Sequence, residues 1–170
     1  MRNRACFFAV ICCVAAFSSS GAAQDWNGFR WLTGRWAGEG SGKPGQSSGS
    51  FSLLPDLGGK ILLRKGHAIA PPRDGSAGIV HDDLMIISPG DGGAFRGDYY
   101  DNEGHVIRYG ISIADSSIVM LSARTGKGPV FRLTYFRLAG GLVDVRFEMS
   151  PDGTAFTVYT EGKCRREEGD

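Results

Sequence analysis

Turn signals recur at nearly even intervals through the second half of this chain. They are short clusters of Gly, Asp, Asn and Ser, residue types that tolerate positive φ or cap their own backbone. Their centres fall at positions 92, 103, 116, 127, 140 and 152. Successive centres are 11 to 13 residues apart, enough for one strand and one hairpin turn. This spacing predicts antiparallel strands in which each strand pairs with its neighbour in sequence.

The segments between the turns alternate apolar and polar residues with a period of two. Clear examples are 106–113 and 142–149. Such alternation places one face on a core and the other in water. A meander of about ten strands leaves two unpaired edges unless the sheet closes on itself. The sequence therefore predicts an all-β fold, a single up-and-down antiparallel β-barrel of about ten strands with a short N-terminal helix. An immunoglobulin-like sandwich stays open, although a regular meander lacks the long crossovers of a Greek key.

The first 23 residues have the pattern of a signal peptide. Two arginines precede an almost unbroken apolar run from Cys6 to Phe17, and small residues follow as far as Ala23. The run is too short to span a bilayer, which disfavours a retained membrane anchor. A lipoprotein signal is disfavoured too, because both candidate cysteines lie inside the run. We predict export to the periplasm or the medium, with one barrel domain over residues 24–170.

Removal of this leader limits the partners. It takes two of the 19 basic residues and leaves 17 against 18 acidic ones, a net charge of −1. That charge gives no electrostatic case for a nucleic-acid partner or a membrane partner after cleavage. Cys164 is then the only cysteine, so burial of its thiol is expected, with dimer formation as the alternative. A monomer or weak dimer is predicted.

A short apolar segment precedes the first strand, which is predicted to begin at Trp36. Trp26, Phe29 and Leu32 recur every three residues behind Asp25, a potential N-cap. This pattern predicts one or two helical turns. So short a helix is not stable alone, so we expect it to plug an apolar opening such as a barrel mouth.

The Gly34-Arg35-Trp36 opening, the helix and the run of hairpins resemble the lipocalin and fatty-acid-binding (calycin) superfamily. The resemblance implies that Trp36, following Gly34, packs across the closed end of the barrel beneath an arginine of the last strand. Arg165 or Arg166 would be that arginine. The implied guanidinium–indole contact would hold the first strand to the last.

Two shorter segments, 36–40 and 101–105, are similar to uncharacterised secreted bacterial lipocalin-like proteins. The opening is also similar to nitrobindin-type haem barrels, which ligate iron through a histidine in the C-terminal part of the barrel. No histidine follows His105 in this chain. That departure argues against carrying the haem site over.

The polar residues give no clear catalytic or metal site. His81 and Asp83 share one face of a strand about 7 Å apart, but a tetrahedral metal needs further ligands. A charged patch at the start of a strand is the better interpretation. Gly-x-Ser-x-Gly and Gly-Lys-Ser/Thr motifs are absent from the sequence, so a hydrolase nucleophile and a phosphate loop lack support. We predict no catalytic residue and no metal, and the sequence identifies no cofactor.

Aromatic residues provide the candidate binding site. Small barrels are either filled with side chains or hold one small ligand, and inward tyrosine hydroxyls need partners that a ligand or water can supply. The residues predicted to line the ligand are His67, Tyr99, Tyr109, Phe131, Tyr135 and Phe147. His67 is included because it shares the parity of Ile61 and Leu63, and a register that turns it outward is the alternative.

The function predicted from these patterns is binding of a small hydrophobic or amphipathic molecule by an exported barrel. A filled structural or interaction domain without a ligand is the first alternative. A haem-associated isomerase barrel is the second.

Overall fold

The structure, a computed structural model, describes residues 24–38, 48–70 and 78–168. The predicted signal peptide lies outside these ranges. Ten strands follow one another along the described chain. They are β1 (Gly34–Gly38), β2 (Ser48–Asp56), β3 (Ile61–Ala70), β4 (Ile79–Pro89), β5 (Phe95–Asp101), β6 (Val106–Ala114), β7 (Ser117–Ser122), β8 (Val130–Arg137), β9 (Leu142–Ser150) and β10 (Thr157–Arg166).

These strands form one closed barrel, and each pairs antiparallel with its neighbours in sequence. The pairing of β1 with β10 closes it, with Trp36 opposite Arg166. Because the sheet has no open edge, a sandwich is excluded and the predicted all-β, up-and-down barrel is confirmed. The turn signals lie between paired strands. Gly140 and Gly141, for example, link β8 to β9 with φ of +72° and +75°, a region that glycine enters without steric cost.

The predicted N-terminal helix is wrong in its type and length. A single 3₁₀ turn, Asn27–Phe29, stands in its place, and the described ranges contain no α-helix. Asp25 accepts a hydrogen bond from the backbone N–H of Asn27. So short a segment cannot sustain a helix by itself, and burial of Phe29 and Leu32 fixes it instead. Over these same ranges, no helix has the length and apolar character needed to cross a bilayer.

This segment packs into one end of the barrel, called here the plugged end. The ring centroid of Phe29 lies 5.1 Å from that of Phe95, and the Trp26 indole donates a hydrogen bond to the Gly59 carbonyl at 2.9 Å. The opposite end, which carries the turns at 102–105 and 151–156, is called the far end.

Trp36 and Arg166 hold the first strand to the last. The guanidinium carbon of Arg166 lies 4.4 Å from the Trp36 ring centroid, a contact worth about 0.5–2 kcal/mol. Arg166 also donates hydrogen bonds to the carbonyls of Thr33 and Trp31. Arg166 thus takes the position implied by the resemblance, whereas Arg165 lies opposite Ala37 on the outer face.

Gly34 leaves room for that arginine. Its φ is +143°, and a Cβ built there would overlap Nη1 of Arg166. A larger residue would therefore be strained in its backbone and would also displace the guanidinium.

Burial of the inward side chains changes from one end of the barrel to the other. Leu62, Ile87 and Ile118, near the plugged end, are completely buried. Phe131 and Phe147 also face inward but remain partly accessible. The densest packing therefore lies at the plugged end, and solvent reaches the interior from the other side.

Candidate ligand site inside the barrel

A polar network occupies part of the barrel interior. Arg64 of β3 is nine-tenths buried, and its Nε donates a hydrogen bond of 2.6 Å to the hydroxyl of Tyr135 on β8. Its Nη1 forms an ion pair with Asp83 of β4. Burial by itself disfavours the charge, but Tyr135 and Asp83 more than offset this and raise the pKa of Arg64. Burial raises the pKa of Tyr135 to about 12. The arginine is therefore held as a cation inside the barrel by two fixed partners.

Gly66 explains how the ion pair fits. It lies directly opposite Asp83 in the β3–β4 register. A Cβ built on Gly66 would overlap the Asp83 carboxylate and lie 2.8 Å from Nη1 of Arg64. A side chain at this position would therefore force the pair apart.

The network continues toward the far end through Tyr99 and its neighbours. The Tyr99 hydroxyl lies 3.0 Å from Nε2 of His81 and 3.3 Å from a carboxylate oxygen of Asp101. Nδ1 of His81 lies 3.0 Å from Glu103, and Nδ1 of His105 lies 2.9 Å from Asp101. Burial, together with nearby carboxylates, raises the pKa of Tyr99, so its hydroxyl stays protonated. A chain of hydrogen-bonded side chains thus links the rim of the barrel to its interior.

Asp101 is the fixed acceptor of this chain. One carboxylate oxygen accepts the backbone N–H groups of Glu103 and His105 at 3.0 and 2.9 Å. Burial alone would raise the pKa of Asp101, but these hydrogen bonds and the His105 ring lower it overall. The carboxylate therefore stays ionised although its side chain is only 4% exposed.

The wall formed by β8, β9 and β10 is apolar and lies across the interior from Tyr99. Phe131 and Phe147 stack with ring centroids 5.8 Å apart, and Tyr159 meets Phe147 edge-on at 6.0 Å. Gly162 faces inward on this wall, opposite Val145. A Cβ built on Gly162 meets no described atom within 4 Å. Gly162 is also exposed, so the space beside β10 on this face is open to solvent.

Five of the six residues predicted to line the ligand face the interior. The inward positions follow from the register, because directly paired residues share a face. Gly97 pairs with Tyr109 and Met85 pairs with Tyr99. The five are Tyr99, Tyr109, Phe131, Tyr135 and Phe147.

The predicted inward orientation of His67 is wrong. Its side chain is half exposed on the outer face, with Nδ1 2.6 Å from Asp82. The error has a physical origin, because β3 carries apolar residues on both faces. Ile61 and Leu63 point outward, and the polar Arg64 occupies a buried inward position. The alternation along β3 therefore does not show which face is buried.

Sequence reasoning missed Arg64. His81 and Asp83 share one face of β4, as predicted, but that face is the inner one, and the interpretation of a charged patch did not place them there. Only Asp82 between them points outward. The sequence signal that could have found the pair is Gly66, a glycine inside an otherwise regular strand, which marks close approach of other groups. Cys164 is buried, in agreement with the expectation.

The site offers no fit for a metal or a haem. In the parts of the chain that the structure describes, no group of three or more His, Cys, Asp or Glu residues could hold a metal ion. His81 faces inward, but both its ring nitrogens contact other side chains. His67 lies outside, and His105 contacts Asp101. These histidines do not suit an iron ligand.

No known family model matches this sequence, and a comparison with curated proteins finds no match either.

Proposed function

We propose that this protein is an exported barrel of the lipocalin-like type that binds one small amphipathic molecule in its interior. The observation that carries the proposal is the solvent-accessible space beside Gly162, whose pairing with Val145 places it on the inner face. Partly accessible rings of Phe131 and Phe147 border the same wall. A filled core would instead place side chains against that position and bury these rings.

The interior has a polar side as well as an apolar wall, and this combination favours an amphipathic ligand over a purely apolar one. Binding pockets are usually apolar with a few polar groups that fix the orientation of the ligand. Here Arg64, Tyr99 and Tyr109 supply polar groups on one side, and the stacked phenylalanines supply apolar surface on the other. The plugged end closes the site, so entry would be from the far end.

Export follows from the N-terminal sequence. Its test is the N-terminal sequence of the mature protein recovered from the periplasm or medium of an expressing bacterium. A chain that begins close to Gln24 supports cleavage, and recovery of the uncleaved chain from the cytoplasm contradicts it.

Binding is tested with diphenylhexatriene, an uncharged hydrocarbon that fluoresces when it enters an apolar site. The parent protein is expected to enhance the fluorescence with one site per chain. Gly162→Phe should fill the open space and weaken binding about tenfold or more. Lys163→Phe is the matched control, because Lys163 pairs with Asp144 and so lies on the outer face of the same strand, and it should leave binding unchanged.

Absence of dye binding by the parent would refute the proposal and favour a filled structural domain. Equal effects of the two substitutions would also count against it, because they would place the dye outside the barrel.

A further inference from the structure

Two hydrogen-bond donors of the inner network have no partner among the described residues. Arg64 uses Nε and Nη1, and its Nη2 has no hydrogen-bond partner among the described residues. Tyr109 is only 3% exposed, and its hydroxyl also lacks a partner there. Largely buried donors in folded proteins are nearly always paired, either with protein or with water. Two unpaired donors inside the barrel therefore mark a place where an acceptor from outside the chain can bind.

Neither donor is sealed within packed protein. Over the described ranges, the completely enclosed side-chain polar atom without a partner is the indole nitrogen of Trp31, at the plugged end. Nη2 of Arg64 and the hydroxyl of Tyr109 are not among these enclosed atoms, so each keeps some accessible surface where an acceptor can approach it.

Tyr109 belongs to the same part of the interior as Arg64. Its ring centroid lies 6.4 Å from that of Tyr99. Burial raises the pKa of Tyr109. The nearby Tyr135 and Asp83 raise this pKa further, whereas Arg64 lowers it. The hydroxyl is therefore close enough to respond to the network, and it stays protonated as a donor.

The charges around these donors disfavour an anionic ligand. Asp83 already neutralises the Arg64 guanidinium. Asp101 adds a second carboxylate to the inner face, and Glu103 adds a third at the rim beside His81. A bound carboxylate would stand near these like charges in a medium that screens them weakly. An uncharged acceptor meets the same donors without that repulsion.

We propose that the polar end of the ligand is an uncharged carbonyl group, the oxygen of a ketone, ester or amide, that accepts hydrogen bonds from Arg64 and Tyr109. The apolar part of the ligand then extends toward Phe131 and Phe147. This inference rests on the proposed function, since it names the class of molecule that the same interior holds.

The test is competition against diphenylhexatriene at neutral pH with three compounds of matched chain length. Methyl undecyl ketone carries the carbonyl, dodecanoate carries a negative charge, and dodecylamine carries a positive charge. The ketone is expected to displace the dye at a concentration about tenfold lower than either charged compound.

Tyr109→Phe removes only the hydroxyl and should weaken ketone binding about tenfold, because one buried hydrogen bond is lost. Dye affinity is measured on the same variant, and the ratio of ketone affinity to dye affinity should fall about tenfold, which separates the lost hydrogen bond from any general change in the site. Tyr100→Phe is the matched control, because Tyr100 is 43% exposed on the outer face of the same sheet, and it should behave as the parent.

Tighter binding of dodecanoate or dodecylamine overturns the carbonyl assignment, and so does ketone binding that ignores Tyr109→Phe. In both cases the dye still binds, so the proposed function survives. If the parent does not bind the dye at all, the proposed function fails first, and the carbonyl assignment falls with it.

Discussion

Separate removal of the two partners of the Arg64–Asp83 pair should destabilise the protein in two different ways. Arg64→Met leaves a buried carboxylate without its counter-charge, and Asp83→Ala leaves a buried guanidinium without one. A carboxylate can take up a proton and become neutral, whereas a guanidinium stays charged at any accessible pH. The two losses should therefore respond differently to acid.

The size of each loss follows from burial. Arg64 and Asp83 have side chains that are 11% and 9% exposed. Breaking such a pair by removing one partner typically costs about 3–5 kcal/mol. The free energy of unfolding of a whole domain is about 5–15 kcal/mol, so either change is large but measurable.

The pH dependence follows from proton binding. In Arg64→Met, burial favours the neutral carboxylic acid, so the folded variant binds a proton more tightly than its unfolded chain. The stability of Arg64→Met relative to the parent should then recover as the pH falls from about 7 to about 5. The deficit of Asp83→Ala should stay nearly constant over the same interval.

Urea unfolding followed by circular dichroism at both pH values measures these differences. The double variant Arg64→Met/Asp83→Ala should cost about 2–3 kcal/mol less than the two single losses added together, because neither charge remains. Equal deficits at both pH values for Arg64→Met, or additive costs in the double variant, would refute the assignment of a buried ion pair. A variant that unfolds at neutral pH is still informative, since Arg64→Met alone should refold on mild acidification.

Two further predictions concern Gly34 at the closure of the barrel and the Arg132–Glu148 pair on its outer face. Gly34→Ala should destabilise the barrel by about 1–2 kcal/mol, because the +143° φ strains any side chain; Gly110→Ala, at an ordinary φ with space around it, should change the urea midpoint little. Arg132 holds the pKa of Glu148 below its usual value through their hydrogen bond. Arg132→Gln should raise that pKa in a carboxyl NMR titration. A lowered pKa gives its full stabilisation above the usual value of 4.5 and loses it as the carboxylate takes up a proton below that value. The stability gap to the parent should therefore narrow as the pH falls below 4.5, and a gap that does not narrow in acid would contradict the pairing.

The barrel was predictable because its signals are local. Turn residues at steps of 11 to 13 and a period of two fix the strand lengths, and paired neighbours then leave closure as the way to remove both edges. The N-terminal segment was harder. Its three-residue spacing indicated helical turns, but burial of Phe29 and Leu32 against the barrel, rather than helix propensity, fixes its conformation as one 3₁₀ turn.

The inner network was not predictable from the same signals. Alternation predicts polar residues outside, so Arg64 was overlooked. His81 and Asp83 were correctly predicted to share one face, but that face was not recognised as the inner one. His67 was assigned to the interior for the converse reason, since its neighbours at Ile61 and Leu63 are apolar. A strand with apolar residues on both faces carries no reliable parity.

The sequence by itself determined an all-β chain, the number of its strands, their pairing with sequence neighbours and the inward side of most aromatic residues. Each of these follows from contacts close in the chain or from a pattern along one strand. Only the tertiary structure decided which polar side chains enter the barrel, because Arg64, Asp83 and Tyr135 come from three separate strands. Their burial is tolerated only when all three meet, and no single strand contains that information.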